Sequence, residues 1–110
     1  MTDHKIKTIN VHELKKRMDN DSTLCLIDVR EDEEWQEQRI PGALHLQKDT
    51  LAGKIATHEP DLEKPIYLHC RGGVRSLTAA GYLMDVGYTN VYSVDGGIAE
   101  WAKAGYPVQE

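Results

Sequence analysis

A chain of 110 residues with a formal net charge of −5 is expected to form one domain, residues 1–110; it can bury a single core and is too acidic for nucleic acid or an anionic membrane to be its main partner. Its first ten residues carry no apolar signal core, and no later apolar run approaches the ~20 residues that span a bilayer, so the expected setting is soluble and cytoplasmic. Only Cys25 and Cys70 are present, in separate segments and without metal-type spacing, and in a reducing compartment they are expected to stay free.

Residues 5–9 read as a first strand. Asn10 and Glu13 resemble a capping box that opens a helix with Val11, Leu14 and Met18 as its apolar stripe. Residues 20–22 break that pattern, and residues 23–29 (TLCLIDV) form an unbroken apolar run, the mark of a strand buried on both faces. Cys25 lies inside it and reads as a small core hydrophobe. Asp28 and Arg30 close the strand as a structural pair. The acidic run EDEEWQEQ (residues 31–38) has helical composition and reads as a solvated face with one large apolar residue, Trp35. Pro41-Gly42 marks a turn, residues 43–46 a short strand, and Leu51 with Ile55 one face of a short helix.

After a polar loop over residues 59–65 comes the stretch IYLHCRGGVRS (residues 66–76). It runs from strand through a glycine turn into a helix whose stripe is Leu77, Ala80, Leu83 and Met84, capped by Gly87. Residues 90–94 form another strand. Asp95-Gly96-Gly97 then turns into a last helix with Ile98, Trp101 and Ala102 on one side, ending near Gly105. Strict alternation of strands and helices with short connections implies an α/β three-layer architecture around a mostly parallel, five-stranded sheet. In such sheets ligands bind beyond the carboxyl ends of the strands, where Cys70, the Asp28–Arg30 segment and the Asp95-Gly96-Gly97 turn all fall.

A thiol at a strand-to-helix junction faces unpaired backbone N–H groups and the positive end of a helix dipole, so Cys70 is placed to be a thiolate. Arg71 and Arg75 add positive charge, and Gly72 and Gly73 let the amides turn inward as an anion-binding nest. Such a thiolate could attack sulfur, phosphorus, a disulfide or a carbonyl. There is no Cys-x-x-Cys for disulfide exchange. His69, next in sequence, points to the opposite face of a strand and is poorly placed as a base for Cys70, so it reads as a packing or hydrogen-bonding residue. Cysteine-dependent phosphatases separate cysteine and arginine by five residues; here four, Arg71 to Val74, separate Cys70 from Arg75. The tighter loop suits one sulfur atom on the cysteine better than a phosphoryl group's oxygens.

With the flanking stretches IDVREDEEWQEQRIPGALHL (residues 27–46) and VYSVDGGIAEWAKAGYPV (residues 91–108), the loop resembles the signatures of single-domain rhodaneses, which are sulfurtransferases. That resemblance implies a rhodanese-like fold in which Cys70 attacks the outer sulfur of a donor such as thiosulfate, releases sulfite and holds a persulfide for a thiol or cyanide acceptor. The amides of Arg71, Gly72, Gly73, Val74 and Arg75 would hold the sulfur anion, and no metal or organic cofactor is implied. Arg71 matches a position that favours anionic donors. Arg75 either binds donor or fixes the loop against an acidic residue. Gly72 stands where thiosulfate-preferring members carry a second cation, which leaves the donor open. Two alternatives stand beside this enzyme: a module that carries sulfur for, or docks onto, an acceptor protein through the acidic patch at residues 31–37, and a phosphatase.

Overall fold

The computed structural model describes residues 6–110. Its elements follow the expected alternation: β1 (Lys7–Ile9), α1 (Val11–Asn20), β2 (Cys25–Asp28), α2 (Asp32–Glu37), β3 (Leu44–His45), α3 (Leu51–His58), β4 (Ile66–His69), α4 (Val74–Asp85), β5 (Val91–Val94) and α5 (Gly97–Lys103). The five strands form one sheet in the order β1-β5-β4-β2-β3, and every pairing is parallel. Lys5, the expected first residue of β1, lies outside the described residues. No helix among them is long and apolar enough to cross a membrane.

Alternation along the strands divides the core into two layers. Ile27, Ile66, Leu68 and Val91 face α3 and α4, meeting Leu51, Ile55, Ala79, Ala80 and Leu83. Leu26, Tyr67 and Val94 face the other way, onto Leu14 of α1 and Ile98 and Trp101 of α5. The central strand β4 is buried at all four positions. Each of its large aliphatic side chains contributes about 1.5–3 kcal/mol by leaving water.

Local chemistry explains where several elements differ from expectation. The Glu13 N–H donates to Asn10 Oδ1 at 2.8 Å, but the Glu13 carboxylate turns to Arg17 at 3.2 Å, so only half of the capping box forms. Cys25 is only partly buried, because β2 begins there at the sheet's amino edge, and burial raises its thiol pKa. Helix α4 starts at Val74 rather than after Ser76. Its buried face is Ser76, Ala79, Ala80 and Leu83, which turns Leu77 outward, 40 % exposed.

At the carboxyl end of β2 the expected Asp28–Arg30 pair is fully enclosed. Arg30 Nε sits 3.0 Å from both Asp28 oxygens, its Nη2 lies 2.7 Å from Oδ2, and the Arg30 N–H donates to Oδ1 at 2.9 Å. Arg30 Nη2 also donates to the Gln38 carbonyl at 2.6 Å, which ties the sheet to the end of α2. That helix buries none of its residues and is held instead by such links and by Trp35 stacked on His45 at 4.8 Å. Arg30→Met would leave the Asp28 carboxylate buried without its counter-ion, at a cost of about 3–5 kcal/mol. The urea midpoint of the variant measures this, and an unchanged midpoint would show the pair to be dispensable.

Candidate active site

Cys70 follows β4 directly, and the chain then reverses through Gly72 and Gly73 into α4. Gly73 adopts φ of 108°, a left-handed conformation that costs glycine little and a side chain much. This turn aims the first amides of α4 at the thiol. The Gly73 N–H donates to Cys70 Sγ at 3.1 Å and the Ser76 N–H at 3.4 Å. Gly73 has no capping side chain, so Sγ takes the acceptor position that an N-cap oxygen holds in other helices.

Ser76 contributes its side chain as well. Its Oγ lies 3.6 Å from Sγ, donates to the Gly73 carbonyl at 3.1 Å, and shares a hydrogen bond of 2.7 Å with Ser93 Oγ on β5. Both serines are buried. When Ser93 donates to Ser76, the Ser76 hydrogen can turn to a negatively charged sulfur. Burial pushes the Cys70 thiol pKa up, but the Ser76 hydroxyl and the N–H groups of Ser76, Gly73 and Gly72 outweigh it and hold the thiol below its ordinary range.

The other face of the loop is fixed by α5. The Ile98 N–H donates to the Cys70 carbonyl at 2.9 Å and the Ala99 N–H to the Arg71 carbonyl at 3.1 Å. The unpaired amides of α5 thus hold the loop's carbonyls outward, which leaves its N–H groups facing the sulfur. Gly97 makes that approach possible, since a Cβ there would sit 2.2 Å from the Cys70 carbonyl oxygen. The Asp95-Gly96-Gly97 turn is therefore part of the site's wall, as its position at a strand end implies.

Of the residues singled out in the sequence, Gly72 and Gly73 turn the chain beside Cys70 and point N–H groups at its sulfur, Val74 is the first residue of α4, and the arginines do different work. The Arg75 guanidinium is turned onto Glu34 of α2, with Nη1 2.6 Å from Oε1 and Nη2 2.9 Å from Oε2. That ion pair holds the Glu34 carboxyl down to about 2 against its burial. Arg71 is exposed, and its side chain has no hydrogen-bond or ion-pair partner among the described residues. Charge on these arginines is thus not what chiefly lowers the thiol pKa. Hydrogen bonds do most of it, with the pull between Arg75 and Cys70 a lesser contribution.

His69 lies on the opposite sheet face, as strand alternation requires. Its Nδ1 is 3.4 Å from the Cys70 carbonyl oxygen, and its Nε2, 3.6 Å from Asp28 Oδ2, has no hydrogen-bond partner. Complete burial lowers its pKa despite the nearby Asp28 charge, so it is a neutral packing residue and no base for Cys70. Beside the loop lies a cavity of about 240 Å³ whose polar lining is Arg30, Glu34, Glu37, Gln38 and Arg71. The described residues include no cluster of side chains able to hold a metal ion.

Residues 10–104 match the model of the Rhodanese-like domain. The chain belongs to that family. A thiosulfate sulfurtransferase, GlpE, of Pseudomonas savastanoi pv. phaseolicola is 43 % identical over 82 residues, covering 74 % of each chain. A sulfurtransferase of Allochromatium vinosum is 32 % identical over 103 residues, 94 % of each chain. Among solved structures, a rhodanese-related protein from Thermoplasma volcanium superposes with a TM-score of 0.80 at 30 % identity, covering 94 % of this chain and 97 % of its own. This rhodanese-like domain is accordingly an enzyme of the sulfurtransferase class, with the three-layer α/β fold of its relatives.

Sequence reasoning named the loop but passed over three of its supports. Ser76 was only the end of a motif, Ser93 an ordinary strand residue, and Glu34 part of a solvated acidic run. Glu34 had a local signal, because a carboxylate three residues after a helix start reaches back to the preceding backbone, as its Oε1 does to the Glu31 N–H at 3.1 Å. The Ser76–Ser93 pair had none, being a long-range contact.

Gly97→Ala would force a side chain into left-handed backbone and against the Cys70 carbonyl, for a loss of about 2–4 kcal/mol. Chemical denaturation would measure it, and stability equal to the parent's would contradict the role given to α5.

Proposed function

We propose that this rhodanese-like domain transfers sulfane sulfur through a persulfide on Cys70. The Cys70 thiolate attacks the outer sulfur of a donor such as thiosulfate; a sulfur–sulfur bond forms to Sγ, and the bond to the sulfonate sulfur breaks, its electron pair leaving with sulfite. An acceptor thiolate or cyanide then attacks the terminal persulfide sulfur and returns Cys70 to its thiolate. Charge is conserved in both steps, and neither needs a proton base, which agrees with a neutral His69 on the far face. Arg71 would draw the anionic donor to the mouth, and the loop amides would hold the negative charge on whichever sulfur carries it.

The observation that carries this reading is the enclosure of Sγ by inward-facing N–H groups in a loop with only four residues between Cys70 and Arg75. The phosphatase alternative loses support from the same geometry, because Arg75 spends both Nη1 and Nη2 on the Glu34 carboxylate instead of turning them to a phosphoryl group.

A protein thiol as acceptor has its own support. Val74 on the loop's shoulder is 77 % exposed and Leu77, one turn on, is also outward, so an apolar edge lies beside the thiol. The carboxylates of α2, joined to α4 through Glu34, add an acidic rim suited to a basic partner surface. We place the reaction in the cytoplasm and assign it to the chain as one catalytic domain.

Exposure to thiosulfate followed by intact-mass measurement is expected to add one sulfur atom to the parent protein and none to Cys70→Ser, with cyanide removing the adduct. No adduct from thiosulfate, methanethiosulfonate or a low-molecular-weight persulfide would refute the proposal.

A further inference from the structure

The mouth of the site carries less positive charge than its sequence suggests. Three arginines lie around it, yet Arg30 is spent on Asp28 and the Gln38 carbonyl, and Arg75 on both oxygens of Glu34. Only Arg71 is left without an ionic partner among the described residues, and it shares its cavity with the carboxylates of Glu34 and Glu37. Glu34 keeps its charge throughout the neutral range, since its carboxyl is held down to about 2 by the Arg75 side chain. A donor approaching Cys70 therefore meets one free cation, the Arg75–Glu34 pair with no net charge, the Glu37 carboxylate and the thiolate.

We infer that Glu34 is a specificity-determining residue that, by neutralising Arg75 at the rim of the Cys70 loop, sets the site for sulfane donors bearing one negative charge over dianions such as thiosulfate. This rests on the sulfur-transfer reading and narrows its donor class. The favoured donors would be of the thiosulfonate type, R–SO₂–S⁻, or a singly charged persulfide, R–S–S⁻. In the thiosulfonate case the thiolate takes the outer sulfur and the sulfinate leaves with the bonding electron pair, so the electron balance matches that of thiosulfate. Coulomb energy is linear in the charge of the ligand. Each carboxylate at the rim consequently opposes a dianion with twice the energy it opposes a monoanion, and the two donors separate although their reacting sulfur is the same.

Glu34→Gln tests this, because glutamine keeps an oxygen for the Glu31 N–H and for Arg75 while removing the charge. Binding is read by amide chemical shifts of Gly72 and Gly73 in the Cys70→Ser protein, with and without Glu34→Gln, titrated with thiosulfate and with methanethiosulfonate. The expected result is tighter binding of both, with the factor for thiosulfate near the square of that for methanethiosulfonate, for example about tenfold against about threefold. Equal factors, or none, would overturn the inference, since a merely loosened loop moves both ligands alike. Glu37→Gln, at an exposed position lining the same cavity, should show the same relation with smaller factors and serves if Glu34→Gln fails to fold. Charge-dependent binding without any persulfide in the Cys70 protein would sink sulfur transfer and leave charge selection standing. Persulfide formation with equal binding factors would do the reverse.

Discussion

The site depends on two hydrogen bonds from the start of α5 to the carbonyls of Cys70 and Arg71. A loop peptide can present either its N–H or its carbonyl to the sulfur, and only the first favours an anion. By taking the carbonyls, the unpaired amides of one helix turn the loop's amides inward, and those at the start of a second helix, α4, close on Sγ. Two helix termini, each of which would otherwise need capping, thus satisfy each other through one thiol-bearing loop. The left-handed glycines at 73, 96 and 97 are the local condition for this arrangement.

A second, electrostatic brace runs outward from the sheet. Asp28 holds Arg30, Arg30 holds the end of α2 through the Gln38 carbonyl, and α2 carries Glu34 to Arg75 at the start of α4. Since α2 has no buried residue of its own, its position is set by these charges and by the Trp35–His45 stack. The pairing that stabilises the loop also removes one cation from the approach to Cys70. The proposed donor preference would thus be tied to the fold at that ion pair.

Most of the fold was legible because parallel α/β architecture writes itself locally. Apolar runs at residues 23–29 and 66–69, helical stripes and glycine turns gave all ten elements in order, and strand alternation alone put His69 on the far face from Cys70. Leu77 misled because it fits a helical stripe with Ala80 and Met84, yet the small residues Ser76, Ala79 and Ala80 are what the sheet can accommodate there. The candidate cysteine and its surrounding amides were visible as a cysteine between a strand and a glycine turn. What escaped were contacts distant in sequence: Ser76 with Ser93 and Arg75 with Glu34 span 17 and 41 residues. Of the two roles weighed for Arg75, the pairing with an acidic residue is the one its guanidinium makes here, with Glu34.

The central claim is that hydrogen-bond donors, more than neighbouring arginine charge, hold down the pKa of the Cys70 thiol. Its most direct measurement is the pH dependence of Cys70 alkylation, followed by site-resolved mass spectrometry so that Cys25 is counted separately, in the parent, Ser76→Ala and Arg71→Ala proteins. Loss of a donor to the thiolate must raise the thiol pKa, so the profile of Ser76→Ala should move to higher pH while that of Arg71→Ala stays near the parent's. A larger upward move in Arg71→Ala than in Ser76→Ala would contradict the account.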